Sequence, residues 1–282
     1  MIPTPLIQLK ALDPQLYAKI EFLHPSGSLK HRSIPAFLMS LIKSGEIRQG
    51  QPIAIRSAGS AAVTVAWTGA QLGCPVYAVL PPTVSTQIVA LIEWYGGKCH
   101  VQKPDEAKEL MARFGKDGET YVLQQANESR MIDYYRPVAN EILAELPTVA
   151  VITVGIGTGL SATGIGRAVH ASSSGCRVYG TEPAEAAIAS GKPWTPHHIP
   201  GLAPPIAQPL LDKNLLGGIV PIPSRLAWER AQAVAQQCGL LLGPSSGCAV
   251  AAAEHLRREG IAGPIVAVCS GSMYEYLGVL PN

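Results

Sequence analysis

Apolar residues recur along this chain in two alternating rhythms. Short runs rich in β-branched residues, at 16–22, 52–56, 76–80, 99–102, 121–124, 149–154, 177–180 and 265–269, read as strands. Between them lie longer stretches that read as helices, at 34–44, 63–72, 86–95, 106–114, 133–146, 162–170 and 224–238, with one more in the alanine-rich run after Gly247. Ser33 serves as the N-cap of the first, with Pro35 tolerated in its first turn, and Gly45, Gly96 and Gly115 close helices. Strand and helix alternate with short turns, which predicts parallel sheets covered by helices on both faces, an α/β fold. Two stretches break the rhythm. Residues 190–209 carry six prolines and are expected to form an ordered, irregular loop over a site. The apolar run that begins at Leu16 is halted by His24, Pro25, Ser26, Gly27 and Ser28, and Lys30 then stands just before the next helix.

A length of 282 residues predicts about two domains. Apolar residues make up 47% of the chain and charged residues 15%, against a usual charged share of about 25%. A chain so poor in charge is expected to bury surface against a partner, and the expectation is a homodimer. The net charge of +2, with no basic cluster, speaks against nucleic acid and anionic membranes as partners. Cys74, Cys99, Cys176, Cys238, Cys248 and Cys269 are scattered without a Cys-x-x-Cys pair, which reads as buried thiols in a reducing compartment. The first five residues lack a signal-peptide pattern, and Gly or Pro interrupts every apolar run before the roughly 18 residues of a membrane helix. The expected location is the cytoplasm.

Two features point to chemistry. Lys30 sits at a strand-to-helix junction, where unpaired amides are expected to disfavour its ammonium form and make it a candidate nucleophilic amine; a solvated surface lysine is the plain alternative. The loop Gly155, Ile156, Gly157, Thr158, Gly159, Leu160, Ser161 joins a strand to a helix and offers successive amides to an anion, a phosphate cradle; a glycine-rich turn without ligand is its alternative. Leu160 occupies the place of the third glycine of a dinucleotide fingerprint, and no Walker lysine occurs. A phosphate bound without adenine or a Walker lysine leaves cofactors such as pyridoxal 5′-phosphate.

The sequence resembles the fold type II pyridoxal phosphate enzymes, most of all the cysteine synthase (O-acetylserine sulfhydrylase) and cystathionine β-synthase group. The likeness runs through Thr4-Pro5-Leu6, Pro25-Ser26-Gly27-Ser28-Leu29-Lys30-His31-Arg32, the loop from Gly155 to Gly164, Thr181-Glu182-Pro183, Ile199-Pro200-Gly201, Gly243-Pro244-Ser245-Ser246-Gly247 and Ser272-Met273-Tyr274-Glu275-Tyr276-Leu277. It implies a tryptophan synthase β-like architecture of two domains, each a mostly parallel sheet flanked by helices. Residues 1–35 plus 130–282 would form the larger cofactor domain and 36–129 a smaller, mobile substrate domain. It also implies Lys30 as Schiff-base lysine and general base, the 155–161 loop on the phosphate, Ser60 near the 3′-oxygen, and Ser272 facing the pyridine nitrogen. A neutral serine there makes the ring a weaker electron sink, which suits departure of a Cβ substituent through an aminoacrylate.

The implied substrate residues are Ser57, Ala58, Gly59 and Ala61, in the place of a Thr-Ser-Gly-Asn-Thr-Gly loop, with Gln124 or Gln125 in the place of a substrate-lining glutamine. The loss of side-chain hydroxyls at Ala58 and Ala61 implies altered recognition of the amino acid. His31 stands where the family has aspartate, and Leu160 and Ser161 where it has Gly and Thr. The implied reaction is β-replacement on an O-activated serine by a small sulfur or related nucleophile. The alternatives are a specialised biosynthetic enzyme with a non-standard donor or nucleophile, acting by β-elimination or β-replacement, and a catalytically weak cofactor-binding or protein-binding relative. No metal is expected: His197 and His198 are adjacent, point apart and lack a third ligand at a useful spacing. Ser245 and Ser246 lack a nucleophile elbow and read as a polar turn facing the cofactor.

Overall fold

The computed structural model describes residues 2–277. It contains two sheets. The smaller consists of β3 (Ile53–Arg56), β4 (Val76–Leu80), β5 (Lys98–Val101) and β6 (Tyr121–Leu123), all parallel, in the order β5-β4-β3-β6. The larger has the order β1-β2-β10-β7-β8-β9, built from β1 (Leu6–Gln8), β2 (Leu16–Ile20), β7 (Val151–Gly155), β8 (Arg177–Pro183), β9 (Gly218–Ile222) and β10 (Ile265–Cys269). Only β1 runs antiparallel, along the edge of β2. The connecting helices are α1 (Ile34–Ser44), α2 (Ser60–Leu72), α3 (Thr86–Trp94), α4 (Pro104–Lys116), α5 (Arg136–Glu145), α6 (Leu160–Ser172), α7 (Ser224–Cys238) and α8 (Pro244–Arg258). This is the α/β architecture that the alternation predicts.

The central strands explain the unbroken apolar runs. Every residue of β10 and the first four of β7 are buried, as strands covered on both faces must be. One apolar core runs from Ile53 and Ile55 of β3, through Phe37 and Leu38 of α1 and Tyr135, to Val154 of β7 and Ile165 of α6. A second, including Val250 of α8 and Ile222 of β9, fills the other face of the larger sheet.

The sequence pattern misses the two outer strands of that sheet. β1 is three residues long with no fully buried position, so it has no alternation to detect. β9 carries Pro221, tolerated because β9 is an edge strand that donates only on one side. Several boundaries also move, among them the helix expected at 106–114, which spans Pro104–Lys116 with Gly115 inside it, and the strand expected at 177–180, which runs on to Pro183. The strand expected at 16–22 ends at Ile20 and gives way to a 3₁₀ turn, Glu21–Leu23. The helix expected from 63 begins at Ser60, so Ser60, Ala61 and Ala62 form its first turn. The helix expected from 133 begins at Arg136, after a 3₁₀ segment Ser129–Tyr135, with Pro137 in the first turn.

A buried ionic cluster fastens these pieces together. Arg32 is fully buried and donates through Nε to Glu21 Oε2 (2.8 Å) and through Nη2 to Glu21 Oε1 (2.9 Å), Glu141 Oε2 (2.8 Å) and Thr4 Oγ1 (3.2 Å). Lys19, equally buried, pairs with Glu141 Oε2 at 2.7 Å and donates to the Thr4 carbonyl. Two cations therefore face two carboxylates, and no charge is left uncompensated. Burial pushes the Glu21 carboxyl up, but hydrogen bonds from Arg32 and His24, with the charge of Arg32, outweigh it and hold the pKa down to about 2. The cluster joins the segment before β1, the end of β2, the turn after Ser28 and α5.

Removing Arg32 leaves the buried Glu21 carboxylate without its cation and Glu141 with Lys19 alone, so Arg32→Ala is expected to lower the unfolding free energy by about 3–5 kcal/mol, read from urea denaturation at pH 7. Because the folded pKa of Glu21 lies below its unfolded value of 4.5, its contribution is complete above that pH and is lost as the pH falls toward about 2. Wild-type and variant stabilities should converge over that acid range.

Candidate active site

Lys30 belongs to a four-residue 3₁₀ turn, Leu29–Arg32, capped by Ser28, whose hydroxyl accepts from the Lys30 N–H at 3.3 Å. The Leu29 N–H donates to the Ser270 carbonyl (2.9 Å), and Ser28 bridges to Gly271, so the turn is pinned against the chain leaving β10. Arg32 anchors its other end. The Lys30 amine is shifted down to about 8, and the cause is burial, which removes water from the ammonium. This corrects the expected cause: the ammonium form is disfavoured by desolvation rather than by the partial charge of a helix end.

His31 has a different part. Its ring stacks on His24 (centroids 5.1 Å apart), meets Trp67 edge-on (4.6 Å) and places Nδ1 3.1 Å from Ser26 Oγ. Burial pushes its pKa down to about 4, helped by the charges of His24 and Arg32, so it packs as a neutral ring behind the turn.

Two cavities meet at Lys30, and both are lined by Lys30, Ser60, Gly157 and Gly201. The outer is a cleft of about 470 Å³ between the sheets. Ser57, Ala58, Gly59, Ser60 and Ala61 form one wall, Gln124 and Gln125 another, and Gly157 and Thr158 the floor. The inner recess brings Gly155 and Ser161 together with Ser245, Ser270, Gly271 and Tyr276. A larger groove of about 700 Å³ runs along α7 past Trp228 and Met273 and contains none of these residues.

Three of the sequence-predicted residues line neither cavity. Gly159 is the N-cap of α6 with φ +91°, and a Cβ there would lie 2.7 Å from the Leu211 Cβ, so it makes the turn and admits the covering loop. Leu160 points into the core and is fully buried. Ser272 donates its hydroxyl to the Leu241 carbonyl (3.0 Å) and caps the following 3₁₀ turn, Met273–Glu275. Ser270, the first residue beyond β10, faces the recess instead, with its hydroxyl 3.2 Å from that of Ser245. The sequence pattern also passes over Arg56, Asn127 and Tyr276. Of these, Arg56 had a signal, a lone charge ending a buried strand.

The recess fits a phosphorylated group. Among the described residues, the N–H groups of Gly157, Thr158, Gly159, Leu160 and Ser161 donate to no protein acceptor, and they gather at the N-terminus of α6. A Cβ on residue 157 would stand 2.7 Å from the Gly201 carbonyl oxygen, so only glycine leaves this approach open. The proline-rich segment closes over the loop: the Ala203 N–H donates to the Ile156 carbonyl (3.0 Å) and Gln208 Nε2 to the Gly157 carbonyl (2.7 Å). Gln125 Nε2 reaches Thr158 Oγ1 at 3.3 Å, a tie from the smaller sheet. Among the described residues, no three His, Cys, Asp or Glu side chains converge as a metal site, and no helix is long and apolar enough to cross a membrane.

Comparison with known proteins places this geometry. Residues 1–271 match the family model described as pyridoxal-phosphate dependent enzyme. Cysteine synthase 3 of Caenorhabditis elegans is 29% identical, over 90% of this chain and 79% of its own length. The crystal structure of O-ureido-L-serine synthase superposes with a TM-score of 0.91 at 26% identity, covering 98% of this chain and 91% of that one. The crystal structure of O-acetyl serine sulfhydrylase isoform 3 from Entamoeba histolytica gives 0.86 at 26% identity, covering 98% and 88%.

A lowered amine pKa makes Lys30 the reactive lysine. In the apoprotein, acylation by an amine-directed reagent, located by peptide mass mapping, is expected to rise with pH through a midpoint near 8 at Lys30, against about 10.4 for exposed lysines.

Proposed function

We propose, from the premise that the chain belongs to the pyridoxal-phosphate dependent enzymes, that it replaces the substituent on Cβ of an O-activated serine by a small nucleophile. The observation that carries this is the meeting of the two cavities at Lys30, where a desolvated amine and a pair of neutral hydroxyls lie beside the loop whose amides are free. Bound pyridoxal phosphate supplies an electron sink conjugated with the amino acid's Cα, which labilises the Cα proton and then the Cβ substituent.

The chain's residues divide the work. The amides of Gly157, Thr158, Gly159, Leu160 and Ser161 hold the phosphate, so Gly159 and Leu160 act through their backbone while their side positions serve packing. Lys30 would hold the cofactor's aldehyde end through Nζ and, freed by the substrate's amine, would accept the Cα proton on that atom. The Cβ–O bond then breaks and its electron pair leaves on oxygen. The nucleophile bonds to Cβ, its proton departs with the leaving group, and Nζ returns its proton to Cα. Ser270, with Ser245 beside it, would face the ring nitrogen in the place that the resemblance gives to Ser272; a hydroxyl would not hold that nitrogen protonated, which would favour prompt departure from Cβ. Ser60 serves the 3′-oxygen. The α-carboxylate sits at the start of α2, on the N–H groups of Ser60 and Ala61, which donate to no protein acceptor among the described residues.

Residues 1–35 with 130–282 form the cofactor domain in this reading, and 36–129 a smaller domain that closes on substrate; β3 to β6 all fall within the second range. Met1 and 278–282 of the first range lie outside the described residues. A homodimer is supported by the low charge and by exposed Met39 and Trp94. A cytoplasmic setting is supported by six free cysteines. The methyl groups of Ala58 and Ala61 in the substrate wall favour a second reading, a donor other than the acetyl ester.

The experiment is reconstitution. The purified chain with pyridoxal phosphate is expected to show a visible absorption band that Lys30→Ala abolishes or shifts, and to form cysteine from O-acetyl-L-serine and sulfide at a rate that Lys30→Ala lowers by at least about 10²–10⁴-fold. A protein that takes up no cofactor, or whose band is indifferent to Lys30, overturns the assignment.

A further inference from the structure

Arg56 is the last residue of β3, where a buried strand delivers an exposed side chain to the cleft that holds Lys30. That position is the carboxyl end of a strand in a parallel sheet, where open α/β sheets bind their ligands. Four surface arginines reach carboxylates (Arg48 to Glu119, Arg130 to Glu46 and Glu128, Arg167 to Asp133, Arg225 to Glu229), while Arg113, Arg136, Arg177 and Arg258 are exposed without an ion pair among the described residues; what sets Arg56 apart is its place in the cleft. Among the described residues, Arg56 makes no ion pair or side-chain hydrogen bond, and no Asp or Glu lines its cleft. Its polar neighbours there, Gln124 and Asn127, carry no charge. The cleft therefore presents the guanidinium of Arg56 beside the Lys30 amine, and no anionic side chain to answer it.

The start of α2 already offers free amides for the one carboxylate that every amino acid carries. Arg56 is then a second anion site in the same cleft, adjacent in sequence to Ser57 and the altered substrate wall. A guanidinium matches an oxyanion with two parallel donors, which suits a phosphate or another flat or tetrahedral anion.

We infer that Arg56 selects an O-activated serine whose activating group is itself anionic, a phosphate ester in preference to a neutral acyl ester. The inference rests on the proposed β-replacement. As the Cβ–O bond breaks, its electron pair passes to the departing oxygen, the leaving group becomes inorganic phosphate, and the added negative charge develops where Arg56 stands. The nucleophile supplies the new bond to Cβ, so no oxidant or further reactant is needed.

The test uses the holoenzyme and two readouts. In turnover, wild type is expected to have a higher kcat/KM for O-phospho-L-serine than for O-acetyl-L-serine, and Arg56→Gln is expected to reduce that ratio by about 10–100-fold, the loss of a charge-assisted hydrogen-bonded pair, with Arg56→Lys between the two. In binding, calorimetry with 2-amino-3-phosphonopropionate, whose carbon–phosphorus bond does not leave, should show a similar loss in Arg56→Gln and an affinity that falls with added salt. A preference for the acetyl ester in wild type, an equal loss for both donors, or phosphonate binding indifferent to Arg56 overturns the inference. If no serine ester is turned over by a protein that has taken up cofactor, the β-replacement itself fails, and the phosphonate arm still decides whether Arg56 holds an anion.

Discussion

The structure depends on how it treats two cations placed two residues apart. Arg32 and Lys30 share a single 3₁₀ turn, and both have lost most of their water. Arg32 meets two carboxylates in hydrogen-bonding geometry and stays charged, so it becomes a rivet between β2, α5 and the segment before β1. Lys30 meets no carboxylate, and desolvation alone lowers its pKa. The same turn therefore holds one cation that fixes it in place and one amine that is ready to react. Were Arg32 uncompensated, burying the turn would cost more than its packing contributes.

With that turn fixed, the other parts of the site are set by the ends of parallel strands. β10 ends against the Lys30 turn, β7 runs into the amide loop, and β3 runs into the start of α2. Parallel strands all point their carboxyl ends the same way, so one sheet brings Lys30's support and the loop together, and the other brings the substrate wall opposite them. The proline-rich segment adds rigidity, since its hydrogen bonds to Ile156 and Gly157 cover the loop from outside.

Relatives with about a quarter of their residues in common share nearly the whole backbone course. The physical reason is that the sheets need only apolar runs of the right length, whereas the cleft needs particular side chains. The cleft wall of this chain carries small side chains at Ala58 and Ala61 and the guanidinium of Arg56, with no Asp or Glu beside them. The amides behind those side chains are unaffected by such changes. Backbone binding can therefore persist while side-chain recognition is rebuilt.

What the sequence by itself determined is local in origin. The strands and helices of the interior follow from apolar period and run length, and Lys30 and the 155–161 loop could be named because each is a motif within a few residues, whereas the 57–61 stretch, Gln124 and Gln125 follow from the family resemblance. Tertiary structure decided what depends on distant partners. β1 and β9 exist only because β2 and β8 offer edges to pair with. Ser270 rather than Ser272 faces the recess because β10 ends at Cys269, while the Ser272 hydroxyl is taken by Leu241, 31 residues away. The start of α2 at Ser60 converts an expected turn into a helix end, and with it side-chain hydroxyls give way to free amides. Arg32's charge is legible in the sequence, but its compensation by Glu141, 109 residues on, is not. A local pattern records which face of an element is apolar; only the folded chain decides which polar groups meet there and which are left for a ligand.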